Sequence, residues 1–177
     1  MVMNYKPFWT SILTLICIAL VGCVPVAPPA TYTGTERVDF NGLRFELLSA
    51  RFANSYSNFA NQPVIASDKF LIVEIAVTNL AQEPLPEHFK PVFSLYDLNG
   101  AKYEASLQHT MGINMMKSGR NAYGQGWNPN VQVKQEIVFE VPKQKYKLQV
   151  LVPYRAQMGF AGTTTVTGRY FFYDLSI

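Results

Sequence analysis

His109-Thr110-Met111, with Met115 and Met116 close behind, sets an imidazole among thioethers, and His88 stands upstream of the group. Imidazole and thioether are ligands that suit Cu(I) in a compartment without free thiols. The plainer reading makes these methionines adaptable hydrophobes that close one end of the fold. A second candidate is residues 118–130, SGRNAYGQGWNPN, where Arg120, Tyr123 and Trp127 share a glycine-rich segment. Aromatic rings beside a cation suit stacking on a sugar or gripping an anionic glycan. The competing reading, which is the commoner use of such a residue, packs Trp127 under a sheet edge. Third, Lys143, Lys145 and Lys147 alternate along the chain. They suit contact with anionic headgroups or cell-wall polymer, and equally the guarding of an exposed edge strand, which is the commoner use of such lysines. No G-x-S-x-G, H-E-x-x-H, phosphate-loop or dinucleotide fingerprint occurs, and two histidines leave a serine triad little raw material. The expectation is a protein that is not an enzyme and carries no cofactor.

The elements that position these residues must come from one domain. The chain has 177 residues, 49% hydrophobic, 14% aromatic and 15% charged, with a net charge of +3. That length buries a sizeable core, and so many aromatics with so little net charge exclude a disordered chain. The charge is also too small for nucleic-acid binding, which shows as a dense basic stripe. Two cysteines, Cys17 and Cys23, exclude a disulfide-rich scaffold.

The N-terminus sets the compartment. Lys6 precedes ILTLICIALV at residues 12–21, a basic head and a short apolar run of the export-signal kind. Such a run reaches about 15 Å as a helix, half the hydrocarbon thickness. It ends in Leu20-Val21-Gly22-Cys23, which resembles the lipobox of bacterial lipoproteins. The resemblance implies cleavage after Gly22 and acylation of the Cys23 thiol, so residues 1–22 are signal peptide and no free thiol remains. An uncleaved helix is the alternative, and Pro25, Pro28 and Pro29 oppose it by stopping the helix near the cleavage point. Residues 23–35 then form the acylated cysteine and a proline-rich tether. Val24, rather than Asp, follows the cysteine, and the resemblance to sorted lipoproteins implies the outer membrane in a cell that has two.

Residues 36–177 read as strands. Period-2 alternation recurs and no helical period stands out. Asn41-Gly42 and Asn99-Gly100 mark hairpins. Residues 69–79, KFLIVEIAVTN, are apolar on both faces and predict a central strand; residues 131–141 alternate cleanly; residues 146–152 and 169–175 add two more. The connections at residues 53–68 and 106–130 read as long loops. Seven or eight short strands predict an all-β, antiparallel sandwich. A membrane barrel would have more uniform strands.

KFLIVEIAVTNLAQEPLP, FSLYDLNGAKYEA and NPNVQVKQEIVFEVPK together resemble the immunoglobulin-like domain-of-unknown-function family carried by many bacterial lipoproteins, related in fold to secreted immunoprotective antigens. The resemblance implies an immunoglobulin-like fold and an extracytoplasmic location, and no catalytic residues. Asn130 stands where that family has Gly, which Asn tolerates because it visits the left-handed region. The His109-x-Met111 pair is also similar to part of the motif of periplasmic copper chaperones, although the further upstream methionine of that motif is absent. The expected function is therefore a membrane-anchored, non-enzymatic binding or structural module of the cell envelope. Its partners are the bilayer, through Cys23, and an envelope protein or glycan. The alternative is a periplasmic carrier of a small ligand or Cu(I), using His109 and Met111.

Overall fold

The computed structural model describes residues 28–34, 36–58, 60–86, 89–118, 127–158 and 164–177. Its strands are β1 (Thr31–Thr33), β2 (Arg37–Phe40), β3 (Leu43–Ser57), β4 (Pro63–Asn79), β5 (Val92–Asp97), β6 (Lys102–Glu104), β7 (Gln132–Glu140), β8 (Tyr146–Met158) and β9 (Thr164–Leu175). Helix α1 (Leu107–Ser118) lies between β6 and β7. The first sheet has the order β1-β9-β8-β5-β6 and the second β2-β3-β4-β7. All neighbours are antiparallel except β1, which runs parallel to β9. The fold is the antiparallel β-sandwich expected from the alternation, of the immunoglobulin-like kind that the family resemblance implied.

Alternate residues fill the space between the sheets, as a period of two requires. Leu71, Val73, Ile75 and Val77 of β4 and Ile137 and Phe139 of β7 meet Leu148 and Val150 of β8 and Phe171 and Tyr173 of β9. The Tyr173 hydroxyl, held far above its usual pKa by burial, donates to the Phe45 carbonyl at 3.1 Å. The second apolar face of β4 is buried too. Phe70 and Ile72 pack with Val138 and Ile113 beneath α1, so β4 is central in both directions.

Asn41 and Gly42 take φ of 51° and 79°, both left-handed as a type I′ turn demands. The other Asn-Gly pair behaves differently, with only Gly100 left-handed, at φ 84°. Asp97 explains this: its carboxylate accepts from the Asn99 and Ala101 amides at 2.9 and 2.8 Å, holding a wider loop. Asn130 has φ 58°, so it does adopt the conformation a glycine would.

Four expectations need correction. Residues 53–68 are the arms of the long β3–β4 hairpin, capped by Asn58, whose side chain accepts from the Ala60 and Gln62 amides. Residues 107–118 form a helix where a loop was expected. Thr31–Thr33, within the expected tether, pairs with β9, so the sandwich begins before residue 36. Strand β8 lies between β5 and β9, so Lys147 guards no edge. Edges are managed otherwise: β1, β2 and β6 are three or four residues long, and β7 is covered by α1. At Gly168 a Cβ would lie 2.5 Å from the Val152 carbonyl oxygen, so only glycine lets β8 and β9 approach there.

Candidate functional site

The residues capable of chemistry gather where α1 meets β7, and their hydrogen bonds explain why the helix sits there. An outer strand leaves every second N–H and C=O without a neighbouring strand. Here Ser106 N–H donates to the Val138 carbonyl at 2.8 Å, and Val138 N–H donates to Thr110 Oγ1 at 3.0 Å. Glu136 N–H donates to Asn114 Oδ1 at 2.9 Å, while Asn114 Nδ2 donates to the Glu136 carbonyl at 2.6 Å and the Thr110 carbonyl at 2.7 Å. The Asn114 amide thus stands in for a peptide group of a tenth strand. Beside it, Arg51 reaches across the sheet with both terminal nitrogens on Glu136 Oε1, at 3.2 and 3.1 Å.

One turn earlier on α1, His109 lies between Phe70 and Tyr56, with ring centroids at 4.9 and 5.7 Å. Its Nδ1 shares a 2.8 Å hydrogen bond with the Tyr56 hydroxyl, which burial pushes up in pKa. Its Nε2 lies 3.9 Å from Glu140 Oε2. Glu140 Oε1 accepts from the Ser67 hydroxyl at 2.7 Å and the Ser67 amide at 2.6 Å. Those two bonds, the hydroxyl first, hold its carboxyl below the usual carboxylate range, with His109 adding a smaller attraction. A carboxyl whose pKa is lower folded than unfolded stabilises the fold above its unfolded pKa and loses that contribution as pH falls through the folded value. Urea denaturation below pH 5 is therefore expected to show an acid limb that flattens in Glu140→Gln; an identical limb in both proteins would refute this role.

The helix separates the residues of the suspected Cu(I) group. His109 is directed at the sheet, whereas Met111 and Met115, with Leu107, form an exposed stripe at i, i+4, i+8 spacing. His109 and Met111 are therefore not brought together, and His88 lies outside the described residues. Among the described residues no group of three His, Cys, Asp or Glu side chains could hold a metal ion. Trp127 is 4% exposed, packed in the main core with Lys90 over its ring at 5.9 Å. As an exposed sugar platform it fails, because Asn79 draws it inward: Asn79 Nδ2 donates to the Trp127 carbonyl at 2.9 Å and to the Glu83 carbonyl at 2.7 Å. Arg120 and Tyr123, like Gly22 and Cys23, lie outside the described residues.

Sequence reading missed a surface as well as the helix. The outer face of the first sheet carries Val92, Ser94 and Tyr96 from β5, Gln149 and Leu151 from β8, and Tyr170 and Phe172 from β9. Tyr96 and Tyr170 each meet Phe172 edge-on, with centroids 5.7 Å apart. The visible signal was RYFFYDL at residues 169–175, whose aromatics occupy both faces of one strand.

Residues 33–164 match the profile of the domain-of-unknown-function family DUF4352. The chain belongs to that family. No curated protein matches it. Among solved structures it is similar to a conserved hypothetical protein from Bacillus anthracis, with a TM-score of 0.57 and 18% identity over 68% of this chain and 89% of that one. It is also similar to an uncharacterized β-sandwich protein from Clostridium difficile, with a TM-score of 0.54 and 9% identity over 86% and 97%. A secreted protein from Mycobacterium tuberculosis gives a TM-score of 0.50 and 10% identity over 84% and 99%. At these identities the likeness establishes the fold. Among the described residues no helix is long and apolar enough to cross a membrane.

Proposed function

We propose that the protein is a lipid-anchored, non-enzymatic binding or structural module of the cell envelope, held by an acylated Cys23. What carries this reading is the way the chain joins the fold. The Phe172 amide donates to the Ala30 carbonyl at 2.9 Å and Thr31–Thr33 continues as β1. Only residues 24–29 stand between Cys23 and backbone bonded into the sandwich, so an acyl group there would hold the domain against a membrane. Two or more acyl chains anchor stably, at about 0.8 kcal/mol for each buried CH₂. With Val24 after the cysteine, the outer membrane is the proposed destination where there are two.

The use made of the reactive side chains supports the non-enzymatic part. His109, Tyr56 and Glu140 bind one another and Ser67, and together they clamp a helix to a sheet. A clickable palmitate analogue fed to cells tests the anchor. Wild-type protein is expected to take up label and sediment with membranes, and Cys23→Ser is expected to do neither. Unlabelled wild type, or a labelled Cys23→Ser variant, would refute the proposal.

A further inference from the structure

We infer that the outer face of the first sheet, around Val92, Leu151, Tyr154 and Tyr170, rests on the headgroup layer of the bilayer. This depends on the anchor at Cys23. Two features of the chain bring that face to the membrane. Residues 24–29 span about 20 Å even when fully extended, so the sandwich stays within that reach of its lipid. The parallel pairing of β1 with β9 sets a direction: the N-terminal end of β1 points the same way as the start of β9, away from the β5–β6 turn.

The surface met there has the composition an interface favours. Val92, Leu151 and Tyr170 are aligned across β5, β8 and β9. Val92 is 40% exposed and Tyr170 41%. Tyr154, the extra residue where the β8–β9 register shifts between Pro153 and Arg155, is 55% exposed. Tyrosine places its ring at the depth of the headgroups while its hydroxyl stays wet. The next row of the face holds Phe172, Gln149 and Ser94 and ends in Glu104, whose carboxylate is engaged by Lys102 and the Ser94 hydroxyl. Among the described residues, α1 packs on the outer side of β4 and β7 in the second sheet, and no helix lies on the outer face of the first.

The test uses the full acylated chain, purified from membranes and reconstituted into vesicles of phosphatidylethanolamine and phosphatidylglycerol with a nitroxide-headgroup lipid. A fluorophore is placed through Val92→Cys or, at the opposite end, Asn99→Cys. The label at position 92 is expected to lose most of its emission and the label at 99 to keep it. Adding Tyr154→Ser and Tyr170→Ser is expected to restore emission at 92 while the protein still sediments with vesicles. Equal emission at both positions in sedimenting protein would overturn the docking and leave the anchor standing. Loss of emission at 92 that follows protein density rather than nitroxide content would put a second copy on this face and overturn the bilayer contact. Failure of wild type to sediment would remove the anchor, and this inference with it.

Discussion

Trp127→Ala is expected to lower the unfolding free energy by about 4 kcal/mol, the cost of emptying a large aromatic site in a close-packed core. The indole is in the main core cluster, and its backbone is fixed from two sides: the Trp127 carbonyl accepts from the Leu85 amide at 2.9 Å and from Asn79 Nδ2 at 2.9 Å. The cavity would open at the end of the sandwich where β3 begins and β4 ends, so the Leu85–Trp127 bridge should loosen with it. Urea titration read by circular dichroism measures the loss. A change below about 0.5 kcal/mol, the range of an ordinary surface substitution, would contradict the packing role and return Trp127 to the candidates for ligand stacking.

Asn114→Ala is expected to cost about 3 kcal/mol. The variant takes both hydrogen bonds from the buried Glu136 peptide groups at the outer side of β7, and each buried group so stripped costs about 1–3 kcal/mol. Asn114→Asp keeps an acceptor for the Glu136 amide but sets a carboxylate oxygen against the Glu136 and Thr110 carbonyls in a buried site, so it is expected to cost at least as much as alanine. Amide exchange gives the readout. Protection at Glu136 and Val138 should drop more than protection at Phe139, whose bonds are made inside the sheet. Unchanged exchange at Glu136 would mean the helix side chain is not what covers the strand.

These two residues also show what the sequence could reveal. The sandwich was legible because Leu71, Val73, Ile75 and Val77 alternate with a second apolar set, and because Asn41-Gly42 is strong turn chemistry. Helix α1 was not, because its pattern is inverted. Its sheet-facing side holds the buried Thr110, Ile113 and Asn114, two of them polar, while Leu107, Met111 and Met115 face outward. A periodicity search weights apolar residues, so a helix that buries amides to finish a sheet gives almost no amphipathic signal. The long β3–β4 hairpin was hidden for a related reason: Asn54, Ser55 and Ser67 interrupt the apolar alternation, and Lys69 and Glu140 hold the arms through Asn54 and Ser67. Trp127 shows a different limit. The residues around it fit a ligand-stacking loop or, the commoner case, a ring packed under a sheet edge; its burial agrees with the second, and the bond from Asn79, forty-eight residues away, that helps hold it is not carried by any local pattern.

The anchor is the claim on which the proposed function and the membrane-facing sheet both depend, and the mass of the N-terminal peptide tests it most directly. Protein extracted from membranes, digested and measured intact at its N-terminus, should begin at Cys23 carrying a diacylglyceryl group. A peptide that begins at Met1, or an unmodified Cys23 thiol in the membrane fraction, would contradict the account.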